Sequence, residues 1–229
     1  MKNIAIILAS GTGTRSGFDI PKQFIKISNR TIFEMSISIF EENKSIDEIY
    51  IVVYEKFVEL AKKLIKQNKF KKIKKIINGG KTRKESSFNG VMAIDECEAN
   101  ILIHDCVRPF VTQKIINNIL SALKTNNAVN VAIPVVDTTF VENNGYINTI
   151  LNRATLMNSQ TPQSFKLSII KKAHELAKIN NDEDFTDDCG LIQKYNLTPI
   201  YIVDGDKNNI KITYPEDFEF AKLIEKNYS

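Results

Sequence analysis

The sequence predicts an α/β protein built on a Rossmann-like, mostly parallel sheet with helices on both faces. Short β-branched runs alternate with stretches of helical periodicity along most of the chain. Of the 229 residues, 43% are hydrophobic, which is enough for a sizeable buried core. Parallel neighbours require crossovers, and right-handed crossovers place helices on both faces of the sheet. We therefore expect a single domain spanning residues 1–229, with its site at the carboxyl ends of the strands.

The alternating elements can be assigned in chain order from their periodicity. Strands are expected where β-branched residues cluster, and helices where apolar residues recur three and four positions apart. Pro215 is expected in the first turn of the closing helix, where its missing N–H is not needed. The predicted strands are 3–9, 46–53, 74–78, 100–105, 130–135 and 197–205, and the predicted helices are 31–43, 56–68, 83–96, 113–126, 167–178, 186–195 and the segment from 215 onward.

The alternation breaks between residues 135 and 165. "VVDTTFVENNGYINTILNR" resembles two polar strands joined by "ENNG", a typical hairpin turn. We expect this hairpin to form a β-arm at about 138–150 that leaves the main sheet. "SQTPQSF", at 159–165, is polar, contains a proline and carries no cation, so it predicts a turn before the next helix.

Composition narrows the class of protein. The net charge of +4 is mild, and most of the excess lies at 62–75, which we interpret as a solvated helix end and the following strand. The three cysteines have no metal-binding spacing and are odd in number, which disfavours a zinc site and a disulfide framework. Neither a cleavable leader nor an apolar stretch of ~20 residues is evident. We expect a cytoplasmic protein without nucleic-acid or membrane partners.

The first loop carries the strongest local signal. "ILASGTGTRSGFDIPKQF", at 7–24, places Gly11 and Gly13 directly after a buried strand. Glycine lets the backbone approach a ligand closely, and free amide groups can point at phosphate oxygens. Arg15 and Lys22 add two cations, which favours a triphosphate. The spacing matches neither the dinucleotide-binding motif nor the P-loop.

Asp105 is the candidate metal ligand. It ends the apolar strand "NILIHD", where a carboxylate is costly unless something pairs with it. Beside phosphates, Mg²⁺ is the natural partner, because it takes one or two carboxylates together with phosphate oxygens. The neighbouring His104 is interpreted as packed and hydrogen-bonded rather than as a ligand.

The combined motifs resemble the nucleotidyltransferases, and specifically the cytidylyltransferases that act on methylerythritol phosphate or ribitol phosphate. The resemblance begins with G-x-G-x-R-x-G followed by P-K-Q in the first loop. It extends over nearly the whole chain, and the combination is highly specific. The further stretches are "RKESSFNG" (83–90), "HDCVRPF" (104–110), "NRATLMNSQTPQSF" (152–165) and "NIKITYPEDF" (209–218).

The resemblance implies a nucleotide-diphospho-sugar transferase type of fold and assigns roles to individual residues. It places three cations at the reacting phosphates: Arg15, Lys22 and Lys211. It assigns nucleotide binding to Ala9, Ser10, Gly11, Thr12, Gly13, Gly80 and Ser86, with Gly80 and Ser86 near the cytosine. It assigns binding of the acceptor to Arg108, Thr138 and Arg153, and Mg²⁺ to Asp105.

The implied reaction transfers CMP from CTP to a polyol phosphate, which gives a CDP-alcohol and pyrophosphate. An acceptor phosphate oxygen attacks the α-phosphorus of CTP and releases pyrophosphate, without a general base. "HDCVRPF", with valine before the arginine, and the lack of tryptophan in 152–165 favour D-ribitol 5-phosphate, whereas "IPVVDT" and "TDDCGLIQKY" favour 2-C-methyl-D-erythritol 4-phosphate of isoprenoid precursor synthesis. We expect the ribitol substrate by a small margin. The resemblance also implies a homodimer formed through the β-arm, with acceptor sites completed across the interface.

Two alternatives remain open at this point. The glycine loop and the alternating pattern also fit a Rossmann oxidoreductase, with Glu55 placed to bind ribose hydroxyls, but this leaves the later motifs without a role. The lysine run at 62–75 fits a nucleic-acid module, whose binding would weaken steeply with salt.

Overall fold

The chain folds around a central sheet with helices on both faces, which confirms the predicted class. The computed structural model describes residues 1–11, 20–182 and 185–228. The strands are β1 (Lys2–Ala9), β2 (Lys26–Ile27), β3 (Arg30–Thr31), β4 (Glu48–Val53), β5 (Ile73–Asn78), β6 (Ala99–Asp105), β7 (Ala128–Pro134), β8 (Phe140–Asn143), β9 (Tyr146–Ile150), β10 (Met157–Lys166) and β11 (Tyr201–Asp204). The helices are α1 (Ile32–Glu42), α2 (Val58–Asn68), α3 (Arg83–Met92), α4 (Gln113–Ala122), α5 (Leu167–Ile179), α6 (Asp188–Lys194) and α7 (Pro215–Tyr228).

The main sheet has seven strands in the order β11-β7-β10-β6-β1-β4-β5. β1 pairs in parallel with β4 on one side and with β6 on the other. β10 lies between β6 and β7 and runs antiparallel to both. Because β1, β4 and β6 are parallel neighbours, their carboxyl ends meet at one edge, where an open α/β sheet forms its binding crevice.

The segment 159–165 forms the middle of β10, so its prediction as a turn was wrong. A strand enclosed by two neighbours shows apolar periodicity only when its side chains are apolar, and here they are largely polar. Pro162 cannot donate to the strand ladder, and the pairing with β7 shifts register between Gln160 and Ser164. Gln160 and Gln163 are buried, but their amides are hydrogen-bonded, which makes a polar central strand tolerable.

The core lies in two layers, one on each face of the sheet. Along β1, Ala5 and Ile7 pack in the cluster that contains α1, α2 and α4. Ile4 and Ile6 pack in the cluster with α3, α5 and α6. Each fully buried isoleucine contributes about 1.5–3 kcal/mol. The α3 backbone approaches β1 closely at Gly90, where a Cβ would lie 2.8 Å from the Ile6 Cγ2 atom.

The β-arm lies outside the main sheet, as predicted. β8 and β9 form a separate antiparallel hairpin. Its turn residues Asn144 and Gly145 have φ angles of 52° and 83°, which suit the right-handed twist of a two-residue hairpin. Every residue from 140 to 150 is exposed. The arm therefore has no core of its own within this chain.

The lysine-rich stretch 62–75 covers most of α2 and the start of β5, as predicted. β5 is an edge strand of the sheet. Lysines along such an edge discourage pairing with another chain. Among the helices of the described residues, none has both the length and the apolar character needed to cross a membrane.

Candidate active site

A cavity of about 530 Å³ opens at the carboxyl ends of β1 and β6. This is the edge at which the parallel topology places a binding crevice. Of the predicted loop residues, Thr12, Gly13 and Arg15 lie outside the described residues. Other predicted site residues come together in the cavity wall: Ala9, Ser10, Gly11, Lys22, Gly80, Asp105 and Lys211.

Asp105 is held between two cations. Its Oδ1 atom accepts a hydrogen bond from Arg83 Nε at 3.0 Å, and its Oδ2 atom accepts one from Lys211 Nζ at 2.7 Å. Its side chain is only 9% exposed. Burial alone would raise the pKa of Asp105, but the charges of Arg83 and Lys211 outweigh it and hold that pKa well below its usual range. The carboxylate is therefore ionised at neutral pH.

Arg83 connects Asp105 to a second buried carboxylate. Its Nη1 atom donates to Asp188 Oδ2 at 2.8 Å. Asp188 Oδ1 also accepts from Ser87 Oγ at 2.5 Å and lies 3.6 Å from His174 Nε2. Burial opposes the charge of Asp188, yet Arg83 lowers the pKa of Asp188. The result is a buried network of alternating charges that extends inward from the cavity.

Arg83 and Asp188 were not predicted as site residues, although Arg83 lies in the family-like stretch 83–90 and Asp188 lies in "TDDCGLIQKY". Each is the first residue of a helix, Arg83 of α3 and Asp188 of α6. A cation at a helix N-terminus is disfavoured by the helix dipole. That unusual position is the signal that could have identified Arg83 as a residue held by carboxylates from elsewhere.

His104 is a structural residue, as expected from the sequence. It is fully buried, and burial lowers its pKa to about 4, so the ring is neutral at pH 7. Its Nε2 lies 3.0 Å from the Arg108 carbonyl oxygen and its Nδ1 lies 3.0 Å from Thr161 Oγ1. The neutral ring therefore donates through Nε2 and accepts from Thr161, whose hydroxyl oxygen accepts the Asp105 backbone N–H. This chain of bonds fixes the backbone at Asp105.

The predicted residues Ser10, Gly80 and Ser86 meet at one hydroxyl group. Ser86 Oγ accepts from Ser10 Oγ at 2.7 Å and from the Gly80 backbone N–H at 3.1 Å, and it donates to the Thr82 carbonyl at 2.9 Å. A Cβ at Gly80 would lie 2.1 Å from the Glu85 Cβ, so only glycine fits there. The first loop and the start of α3 are thus joined on one side of the cavity.

Gln23 ties the first loop to the end of β1. Its Nε2 atom donates to the Ala9 carbonyl at 2.7 Å and to the Gly11 carbonyl at 2.9 Å. Gln23 is buried, and the adjacent Lys22 is half-buried in the cavity wall. The "PKQ" motif therefore places a cation and a backbone clamp side by side.

Lys211 and Arg108 belong to one supporting arrangement. Arg108 Nη1 donates to the Asn209 carbonyl at 2.8 Å, and the Ile212 backbone N–H donates to the Val107 carbonyl at 2.9 Å. These bonds hold the segment that carries Lys211 against the segment that follows β6. The guanidinium of Arg108 thus has a structural use in this chain, and its role in acceptor binding stays a prediction.

Thr138 and Arg153 lie at the base of the β-arm, away from the Asp105 cavity. Arg153 Nη1 donates to the Val136 carbonyl at 2.8 Å, and both predicted acceptor residues are exposed. Neither is among the described residues that line the cavity. Within one chain the structure therefore does not bring these two residues to Asp105.

The cavity suits a metal ion that is coordinated partly by the protein and partly by phosphate oxygens. Asp105 is the one carboxylate among the described residues that line it. Within residues 1–11, 20–182 and 185–228, no three His, Cys, Asp or Glu side chains are grouped so as to hold a metal ion. A single ionised carboxylate fits Mg²⁺, which keeps water and phosphate ligands, and does not fit a cage made of protein alone.

Comparisons with known proteins identify the same family as the sequence motifs. Residues 3–227 match the family model "IspD: 2-C-methyl-D-erythritol 4-phosphate cytidylyltransferase". A 2-C-methyl-D-erythritol 4-phosphate cytidylyltransferase of Clostridium tetani is 38% identical, over 100% of this chain and 92% of the relative. The crystal structure of 4-diphosphocytidyl-2C-methyl-D-erythritol synthase from Anaerococcus prevotii matches with a TM-score of 0.87 and 30% identity, over 98% of this chain and 96% of that one.

A further relative names a different product. The bifunctional ribulose 5-phosphate reductase/CDP-ribitol pyrophosphorylase Bcs1 of Haemophilus influenzae is 40% identical over 100% of this chain, which spans only 49% of that protein. The family model, the Clostridium tetani relative and the Anaerococcus prevotii structure support the resemblance rather than the oxidoreductase or nucleic-acid alternative. The chain belongs to the IspD family of cytidylyltransferases, which are nucleotidyltransferases that transfer CMP from CTP to a sugar or polyol phosphate.

Proposed function

We propose that this chain transfers CMP from CTP to 2-C-methyl-D-erythritol 4-phosphate, with release of pyrophosphate. The family model and most of the curated relatives name this acceptor, and they support it over the ribitol substrate that the sequence favoured by a small margin. The observation that carries the proposal is the ionised Asp105, which lies with Lys22 and Lys211 in one cavity at the strand ends.

The reaction needs two anions to approach each other. The acceptor phosphate is already a nucleophile, so the protein supplies position and positive charge rather than a general base. Lys22 and Lys211, together with Arg15, would contact the phosphates of CTP. Ser10, Gly80 and Ser86, which are joined through the Ser86 hydroxyl group, would form the base-binding side.

Asp105 would hold Mg²⁺ together with phosphate oxygens of CTP. Mg²⁺, when bound, neutralises negative charge on the phosphates. Asp105 must be ionised for this role, and its two cationic neighbours keep it so. The Lys211 side chain is 44% exposed, so its ammonium group has room to leave Asp105 and bind a phosphate oxygen.

D-ribitol 5-phosphate is the second candidate acceptor. It is favoured by the 40% identity to the Haemophilus influenzae protein, whose name includes CDP-ribitol pyrophosphorylase activity. The valine that precedes Arg108 in "HDCVRPF" also supports this acceptor. Both acceptors are polyol phosphates, so the same charges in the cavity would serve either.

We further propose that residues 1–229 form one nucleotidyltransferase domain that assembles as a homodimer through the β-arm. Exposed apolar side chains on the arm, including Tyr146 at 79% and Ile150 at 65%, support a partner surface. In such a dimer, Arg153 and Thr138 of one chain would bind the acceptor phosphate in the site of the other. This accounts for their position outside the cavity of their own chain.

The test is pyrophosphate release from CTP and Mg²⁺ with the two acceptors in parallel. We expect a higher kcat/KM with methylerythritol 4-phosphate than with ribitol 5-phosphate, and loss of both activities in Asp105→Asn. A higher kcat/KM with ribitol 5-phosphate would assign the second candidate. Release with neither acceptor, from a folded protein that binds CTP, would contradict both.

A further inference from the structure

A row of alternating charges leads from the cavity into the protein interior: Lys211, Asp105, Arg83 and Asp188. We propose that Arg83 and Asp188 are positioning residues, which hold the Asp105 carboxylate in its reactive place while Lys211 moves to a substrate phosphate. This inference rests on the proposed function and extends it to two residues that the sequence motifs did not assign to the site.

The two cations on Asp105 differ in how firmly they are held. The Lys211 side chain is 44% exposed, whereas the Arg83 side chain is 25% exposed and bonded to a carboxylate on each side. Lys211 can therefore leave Asp105 for a phosphate with little rearrangement. Arg83 cannot, so it remains as the counter-charge of Asp105 throughout.

Arginine is suited to this task by its shape. The planar guanidinium binds Asp105 through Nε and Asp188 through Nη1, so the direction of one bond fixes that of the other. Arg83 Nη2 is buried without a hydrogen-bond partner among the described residues, so the guanidinium has one more donor group than it uses there. A lysine has one ammonium group and could not span both carboxylates with the same geometry.

Asp188 is itself tightly fixed. Its side chain is 3% exposed, its Oδ1 accepts from Ser87 Oγ, and its backbone N–H donates to Gln163 Oε1 at 3.0 Å. Gln163 lies in β10, next to β6, which carries Asp105. The anchor of Arg83 is thus built from three elements of the core, α3, α6 and β10, which makes it rigid.

A double-mutant cycle between Asp188→Asn and Asp105→Asn tests whether Asp188 acts through Asp105. In the wild-type background, Asp188→Asn should lower kcat about 10- to 100-fold and raise the KM for CTP by up to about 10-fold, because Mg²⁺ then tightens CTP binding less. In the Asp105→Asn background it should lower kcat no further. Equal losses in both backgrounds would show a general structural role and overturn the proposal.

Two further variants separate the positioning role from a general effect of substitution. Arg83→Lys keeps the positive charge but cannot hydrogen-bond to Asp105 and Asp188 at the same time. It should reproduce the loss of kcat seen in Asp188→Asn, and full activity would contradict the proposal. Glu98→Gln is the matched control, because Glu98 holds Ser168 at the opposite end of β6. It should leave kcat unchanged, and all proteins are checked for folding by circular dichroism.

CTP binding, measured by calorimetry with and without Mg²⁺, gives a readout that needs neither turnover nor the correct acceptor. Mg²⁺ should lower the Kd for CTP in the wild type, and the factor by which it does so should be about 10-fold smaller in Asp188→Asn. Mg²⁺ should have no effect on this Kd in Asp105→Asn or in the double variant. An unchanged Mg²⁺ effect in Asp188→Asn would overturn the inference. If this pattern holds but neither acceptor reacts, the proposed function fails and the positioning role stands.

Discussion

The charged cluster at the strand ends and the β-arm are opposites in physical terms. Asp105 and Asp188 are buried, and every charge on them is matched by a cation. The arm exposes every residue from 140 to 150, including apolar ones. The first region can be understood within one chain, whereas the second exposes apolar side chains that we propose a partner chain covers.

The two regions also differ in what stabilises them. Ionised groups lose hydration on burial, so the cluster persists because its carboxylates and cations satisfy one another in fixed geometry. An isolated two-stranded hairpin is marginally stable in water, and the arm adds no buried side chains to compensate. Substitutions should therefore affect chemistry in the first region and assembly in the second.

The largest effect is expected from Asp105→Asn. The amide cannot supply the negative charge that faces Lys211 and Arg83, and it is a poor ligand for Mg²⁺. We expect kcat for pyrophosphate release to fall at least about 100-fold, in the range seen when a charge-stabilising group is removed. A variant that keeps a tenth or more of the wild-type kcat would separate Asp105 from the chemistry.

Lys211→Gln should have the next largest effect on turnover. The ammonium group would contact phosphate, so we expect kcat/KM to fall by about 100-fold. Because the Lys211 side chain is 44% exposed and Arg83 stays paired with Asp105 in the variant, we expect the free energy of unfolding to fall by only about 1 kcal/mol, with a correspondingly small shift of the urea midpoint. A large loss of stability with normal kcat/KM would indicate a purely structural lysine.

Acid should destabilise the folded protein through His104 before the buried carboxylates titrate. Burial lowers the pKa of His104 to about 4 in the folded protein, whereas the unfolded chain takes up this proton near pH 6.5. Stability is therefore present above pH 6.5 and is lost as the pH falls to about 4, by roughly 3 kcal/mol in total. Urea unfolding across this range should show the slope in the wild type and lose it in His104→Gln; an equal slope in both would exclude His104 as its source.

The smallest effect on the folded chain is expected from the arm. Tyr146→Ser combined with Ile150→Ser should change the unfolding free energy of the monomer by less than about 0.5 kcal/mol, because both side chains are exposed. If the arm forms the proposed interface, the wild type should sediment as a dimer and the protein with both arm substitutions should sediment as a monomer at equal concentration. Ile179→Ser, which alters an equally exposed apolar residue away from the arm, is the control and should stay dimeric. A dimer with both arm substitutions would argue against the arm as the interface.

The same contrast explains how much could be predicted from sequence. The alternating elements, the arm and Asp105 at the end of β6 were predicted, because periodicity, the "ENNG" turn and a carboxylate after an apolar run are local signals. β10 was missed because its side chains are polar and its burial comes from neighbours far away in the chain.

The missed partners of the site have the same origin. Arg83 and Asp188 are 105 residues apart in sequence, and only the tertiary fold, which brings the first residues of α3 and α6 together, places their side chains in contact. Arg108 was predicted from the resemblance to bind the acceptor. Its hydrogen bond to the segment that carries Lys211 joins two loops far apart in sequence, so no local pattern could predict it. Local patterns therefore identified the carboxylate, and tertiary structure identified what holds it.

Complementation between two inactive variants tests most directly whether the buried cluster and the arm work together across a dimer. Asp105→Asn and Arg153→Gln are each purified, shown to be inactive, mixed, and allowed to exchange subunits. If Arg153 serves the site of the partner chain, each mixed dimer has one intact site, and the mixture should recover about a quarter of the wild-type activity. A mixture that forms dimers and yet stays as inactive as its components would contradict the account.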